Sequence, residues 1–292
     1  MNNIEEYKKE RLPLIKENAY INGFIKANKL DDSFISEHFN SFNDCLLSLE
    51  LCKNCPGLDN CKQRKRGEYV GLEYNGLLNN NINYCDLYLM KEKYSEYSSK
   101  FVYSDIPDSL YELNLNNIPV DDDALKQLFV MSHAILDGTR KKGLYIYGDI
   151  GVGKTYMCIA LANSLLQKNK KVAFIKTNDF STKMAQIIME DVQKYERIVN
   201  RIKKADYVFF DDIGSEPVSE FVRDRLLFNI LDFRMEHKLC TIFTSNLDKK
   251  TLYNHYADSK NSIKSQRLIE RIDVLSDNYC LKGEDKRRNN ND

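Results

Sequence analysis

Apolar positions along the chain fall into two regimes. In the first, Ile35, Phe39, Phe42, Leu46 and Leu49 recur four, three, four and three residues apart, which places them on one stripe of a helix. Asp32 or Ser33 stands where such a helix is capped. The stripe predicts a core helix of a small domain, with a partner-docking face as the alternative. From about residue 121 short apolar runs alternate with amphipathic segments. Strands are predicted at 143–147, 171–176, 206–210 and 239–244. Helices are predicted at 121–137, 154–168, 179–204, 219–236, 248–256 and 264–272. Strands that are apolar on both faces and alternate with helices predict an α/β fold, a parallel sheet flanked by helices. The stretch 91–118 is rich in Tyr and Lys and broken by Pro107, with Pro119 just beyond it, and reads as a linker. The expected division is 1–95, a linker over 96–118, and 119–292.

A chain of 292 residues is long for one domain of roughly 100–200 residues, in keeping with two. Hydrophobic residues make up 42% and charged residues 29%, enough apolar material to fill a core. Lys plus Arg and Asp plus Glu number 43 each, so no global field draws the chain to nucleic acid and any such contact must be local. No run approaches the about 18 apolar residues of a membrane span, and the N-terminus has no apolar leader segment, which predicts a cytoplasmic protein. Five of the eight cysteines lie in the first 85 residues. In a reducing compartment such clustering points to metal rather than disulfides.

Gly148-Asp-Ile-Gly151-Val-Gly153-Lys154-Thr155 follows the apolar run ending at Tyr147 and opens a predicted helix. Glycines in this setting let consecutive N–H groups turn inward on a phosphate at the helix N-terminus. Lys154 then supplies a positive charge to the β- and γ-phosphates, and the Thr155 hydroxyl a ligand to Mg²⁺. The next buried strand but one ends in Asp211-Asp212. Asp211 is placed to hold the magnesium, and Asp212 to orient the attacking water. The following strand ends in Thr244-Ser245-Asn246, where the Asn246 amide can meet the γ-phosphate or the water. Three strand ends on one carboxyl edge of a parallel sheet make a nucleotide site.

The order GDIGVGKT, VFFDDIGSE, TIFTSN and then Arg267-Leu-Ile-Glu-Arg271 resembles the AAA+ ATPases, and among them bacterial helicase loaders of the DnaI/DnaC type. The resemblance covers about residues 120–288. It implies an ATPase that places the replicative helicase hexamer on single-stranded DNA, self-associates through the ATPase domain, and docks the helicase through its N-terminal domain. It also implies Lys154 and Thr155 as the Walker A pair, Asp211 and Asp212 as the Walker B acids, and Asn246 as the sensor. Arg271, with Arg267 second, becomes the finger given to a neighbouring subunit. Most AAA+ enzymes carry Glu where Asp212 stands, which implies slow turnover or brings in Glu216 as an alternative water-positioning acid; Arg287 is a weak match to a second sensor. The alternatives are an IstB-like transposition or phage accessory ATPase, and a metabolic P-loop kinase, which the paired acids and late arginines disfavour.

Cys52-x2-Cys55 is a metal-knuckle spacing, and Cys61 and Cys85 complete four thiolates suited to a closed zinc site. Buried free cysteines are the alternative. The Cys-rich domain ahead of the ATPase resembles the DnaI branch, whose zinc ligands include a histidine; Tyr69 and Val70 stand here instead. The expected cofactors are therefore ATP, Mg²⁺ and Zn²⁺. For single-stranded DNA, Arg197, Arg201, Lys203 and Lys204 form a basic helical face, which a solvated surface explains equally well.

Overall fold

The computed structural model describes residues 2–120, 122–257 and 262–286. The chain separates into two units, residues 1–95 and 96–292.

The first unit holds α1 (Asn2–Glu17), α2 (Ala19–Ala27), α3 (Asp32–Glu37), α4 (Phe39–Cys52) and an antiparallel hairpin of β1 (Glu68–Tyr74) and β2 (Leu78–Tyr84). Helix α5 (Asp86–Ser99) carries the chain into the second unit. The single helix expected over the apolar stripe is two helices. The Asp31 carboxylate accepts the Phe34 N–H at 2.8 Å and caps α3, and the chain breaks at His38 before α4 begins. The stripe nevertheless reaches one core, in which Ile35, Phe39, Phe42 and Leu46 meet Ile15, Ile21, Cys45 and Leu72. Burial pushes the Cys45 thiol up to about 12, which makes it a small core hydrophobe. The Asn79-Asn80-Asn81 run lies inside β2, and the Asn80 amide donates to the Ser41 carbonyl at 2.9 Å.

The second unit contains β3 (Tyr103–Ser104), α6 (Asp123–Leu136), β4 (Gly143–Tyr147), α7 (Lys154–Gln167), β5 (Val172–Lys176), α8 (Thr177–Glu190), α9 (Val192–Lys203), β6 (Tyr207–Asp211), α10 (Phe228–Glu236), β7 (Cys240–Ser245), α11 (Lys249–Tyr256), α12 (Ser262–Leu275) and β8 (Ser276–Cys280). The sheet runs β3-β5-β6-β7-β4-β8 with every pairing parallel. This is the expected α/β class, with six strands rather than four. The expected helix 179–204 breaks at Asp191, whose carboxylate accepts the Lys194 N–H and caps α9. A π-helical turn, Phe221–Leu227, leads into α10.

Residues 101–115, expected within a linker, are packed. Tyr103–Ser104 adds an edge strand to β5, and Phe101, Ile106, Tyr111, Leu113 and Leu115 are buried. Asn163 on α7 donates to the carbonyls of Leu110 and Leu113, and Ser164 accepts the Leu115 N–H. The polar majority of this segment masks five widely spaced apolar anchors, so no periodicity betrays it.

Arg234 of α10 is fully buried, and no carboxylate ion-pairs with it among the described residues. Its guanidinium donates to the carbonyls of Lys203, Ala205 and Cys240 and to the Thr241 hydroxyl, fastening the C-terminal end of α9, where the helix dipole favours a cation. Burial pulls its pKa down to about 9, so the residue remains charged at neutral pH. Arg234→Met is expected to cost about 3 kcal/mol or more, since several buried acceptors lose their donors at about 1–3 kcal/mol each. A urea melt read by circular dichroism measures this.

Candidate functional site

The loop between β4 and α7 is built on three glycines in the left-handed half of backbone space: Gly148 at φ 148°, Gly151 at 85° and Gly153 at 100°. A side chain at Gly148 would also strike the carbonyl oxygen of Leu281, 2.0 Å from where its Cβ would lie. The loop therefore needs glycine for space as well as for torsion. Lys154, buried at the first turn of α7, donates to the carbonyls of Gly148 at 2.8 Å and Asp149 at 2.7 Å, and to the Asn246 Oδ1 at 2.9 Å. The Asn246 amide nitrogen in turn donates to Asp212 Oδ1 at 2.9 Å. Asn246 thus bridges the lysine of one strand end to the acid of another.

Asp211 closes β6. Its Oδ1 accepts hydroxyls from Thr155 at 2.8 Å and Thr244 at 2.7 Å, and its carbonyl accepts the Thr177 hydroxyl. Burial pushes its carboxyl above the usual range, while the hydroxyls of Thr244 and Thr155 pull it back. Asp212 follows at φ 54°, an uncommon conformation for a side chain with a Cβ. Its N–H is held by Thr244 Oγ1 at 2.8 Å, and its carbonyl accepts the Ser215 hydroxyl at 2.7 Å.

These groups line a cavity of about 1320 Å³ that includes Gly151, Gly153, Lys154, Thr155, Asp211, Asp212, Thr244 and Asn246, with Lys176, Ser215 and an apolar end at Ile118, Pro119 and Leu125. The sequence-predicted phosphate residues and both acids are therefore brought together. Hard oxygen donors from Thr155 and Asp211, 2.8 Å apart, suit Mg²⁺. Glu216 is elsewhere. It is buried, accepting the Gly214 N–H at 2.8 Å and the Tyr256 hydroxyl, and it does not line the cavity. Burial pushes its carboxyl up. The roles of the Thr244 and Thr177 hydroxyls went unassigned in the sequence, because the groups they bond, on Asp211 and Asp212, lie more than thirty positions away.

Arg271 is not in the cavity. On α12 it donates to Asp232 Oδ1 at 2.9 Å and lies over the Phe228 ring at 4.7 Å, with Arg267 over the same ring at 4.8 Å. Arg287 lies outside the described residues.

The structure does not show the expected four-cysteine zinc site. Among the described residues no three His, Cys, Asp or Glu side chains are grouped to hold a metal. Two of the four sulfurs accept local hydrogen bonds. Cys52 Sγ accepts the Gln63 amide at 3.1 Å, Cys61 Sγ accepts the Gly67 N–H at 3.4 Å, and Cys55 is exposed. Cys85 N–H donates to the same Gly67 through its carbonyl at 2.8 Å. Backbone N–H groups of Gly67 and Gln63 hold the Cys61 thiol below its usual range, favouring the thiolate. Among the described residues, no helix is long and apolar enough to cross a membrane.

Comparison with known proteins places this geometry. The replicative helicase loader DnaI of Bacillus subtilis is 27% identical over 298 residues, spanning 95% of this chain and 94% of that protein. The crystal structure of DnaI superimposes with a TM-score of 0.55 at 27% identity, over 65% of this chain and 99% of that one. The DnaC helicase loader shares the fold, with a TM-score of 0.51 at 19% identity, over 60% of this chain and all of that one. Residues 115–291 match the model of the IstB-like ATP binding proteins. With its glycine loop, lysine, paired acids and bridging asparagine inside that match, the chain belongs to the IstB-like ATP-binding family.

Proposed function

We propose that this chain is an ATP-hydrolysing loader that places a replicative helicase on single-stranded DNA. The observation that carries this reading is the extent of the likeness to DnaI. It spans 95% of the chain and so takes in the N-terminal unit, whereas the IstB-like match begins at residue 115. A transposition accessory ATPase, the alternative, leaves the first unit without a role. The test is co-purification of the full chain with the replicative helicase of its own cell, followed by transfer of that helicase to circular single-stranded DNA. Capture and ATP-dependent transfer are expected. Failure to bind the helicase overturns the reading.

In this reading Lys154 and the loop N–H groups hold the phosphates of ATP, with Thr155 and Asp211 placed to ligate Mg²⁺, which supplies charge neutralisation at the β- and γ-oxygens. Asp212, oriented by Asn246, takes the water-positioning role. Arg271 reaches the site only from a neighbouring copy, which makes self-association part of the activity. Asp212→Asn is expected to keep ATP bound and lose turnover, by about 10²-fold or more for a lost general base. Glu216→Gln is expected to lower the melting temperature while leaving turnover per folded molecule near the parent's. A phosphate-release assay on both variants separates the two acids.

Zinc is retained in the proposal on narrower ground. Cys61 and Cys85 both bond Gly67, just ahead of β1, and Cys52 bonds the Gln63 amide, and four thiolates suit a closed structural site. Elemental analysis of protein purified under reducing conditions is expected to find one zinc per chain, released by Cys61→Ser or Cys85→Ser with the ATPase unit still folded. A metal-free parent removes zinc from the account.

A further inference from the structure

Thr244 is nearly fully buried at the end of β7, and one oxygen of its side chain serves both acids. Its Oγ1 donates to Asp211 Oδ1 at 2.7 Å and accepts the Asp212 N–H at 2.8 Å. Its backbone carbonyl accepts the Ile213 N–H at 2.9 Å. A single residue therefore grips three consecutive positions of the neighbouring strand end, where Phe210 and Phe243 pair in register.

Each grip has a consequence. Both hydroxyls that reach Asp211, from Thr155 and Thr244, land on Oδ1. Among the described residues none donates to Oδ2, so the carboxylate keeps one oxygen for a metal or its water. Asp212 sits at φ 54°, a conformation that persists only where its surroundings over-determine it. The N–H bond to Thr244 and the carbonyl bond from Ser215 fix the peptide on either side. That in turn sets the Asp212 carboxylate against the Asn246 amide at 2.9 Å.

We propose that Thr244 is the positioning residue of this site, its hydroxyl setting Asp211 for the metal and Asp212 for the water. The inference rests on the reading of the cavity as a magnesium-dependent ATP site and adds to it a residue whose hydroxyl is engaged by the two acids. Thr244→Val keeps the branched shape and removes the hydroxyl, while Thr244→Ser keeps the hydroxyl and removes a methyl.

The experiment measures binding of a fluorescent ATP analogue to the full chain, first without metal and then along a Mg²⁺ titration. For Thr244→Val, metal-free affinity is expected within about twofold of the parent, while the Mg²⁺ midpoint rises by about tenfold or more, the usual cost of losing a group that orients a metal ligand. Thr244→Ser is expected to return the midpoint to the parent's. A merely structural threonine would lower the melting temperature of both variants without moving the Mg²⁺ midpoint. If Thr244→Val does not fold, Thr244→Ala removes the same hydroxyl with less demand on the core and is read in the same titration. A hydroxyl-free variant that folds and keeps the parent's midpoint overturns the proposal, as does failure of Thr244→Ser to restore it. A parent that shows no Mg²⁺-dependent binding fails at the earlier step, and the ATP-site reading falls with it.

Discussion

Lys154→Ala is expected to weaken ATP binding by about 100-fold or more, the loss of two charge-assisted hydrogen bonds worth about 1.5–3 kcal/mol each. The size of the effect follows from the surroundings. The lysine is buried, and its amine is surrounded by carbonyl oxygens of Gly148 and Asp149 and by Asn246, which are neutral groups that cannot replace its charge against a phosphate. The remaining N–H donors of the loop carry only partial charges. Isothermal titration with ATP and Mg²⁺ measures the change. Affinity equal to the parent's would show that the glycine loop is not the phosphate site.

Arg271→Ala is expected to bind ATP like the parent and to lose hydrolysis by about 10³–10⁵-fold, the range for a guanidinium that stabilises a phosphoryl transition state from across an interface. Within its own chain this arginine is occupied by Asp232 and by the face of Phe228, and it is absent from the cavity lining. In the proposed reading, its contribution to catalysis comes from one copy to the next. The parent's specific activity should climb with protein concentration, whereas the residual activity of Arg271→Ala should not. Mixing Arg271→Ala with Lys154→Ala should recover partial activity, through those interfaces that join an intact pocket to an intact arginine. Hydrolysis by the parent that ignores concentration, with no recovery in the mixture, would make Arg271 a structural residue that secures α12 to α10.

The nucleotide site was legible because its chemistry is local. A glycine loop, a lysine and two strand-end acids each announce themselves within a few residues, and the strands carrying them are short apolar runs such as Tyr207–Phe210. What stayed hidden depends on distant partners. Strand β8 reads Ser-Asp-Asn-Tyr-Cys and has no apolar pattern, because it is an edge strand whose place is set by β4. Strand β3 is two residues long, too short for any periodicity. Asp191 splits a helix that looked continuous because the amphipathic pattern resumes in phase on its far side. Glu216 stood as the alternative to Asp212, and its burial against Tyr256, away from the cavity lining, sets it apart. The hydroxyl of Thr244 is invisible for the same reason: its two partners lie on another strand, more than thirty positions away.

The position of β8 has a consequence for how the protein is made. Strand β4 lies between β7 and β8, and the nucleotide loop is backed by Leu281, whose N–H donates to the Tyr147 carbonyl at 2.7 Å and whose own carbonyl abuts Gly148. Lys286 adds a bond from its N–H to the Gly151 carbonyl at 3.1 Å. During synthesis the glycine loop leaves the ribosome long before these supports exist, and chains emerge at only about 5–20 residues per second. For that interval β4 is an open sheet edge, and the loop has nothing on one side to hold its shape. A translation product stalled before residue 276 therefore leaves one edge of β4 without its neighbour, an open apolar edge of the kind that recruits chaperones or aggregates.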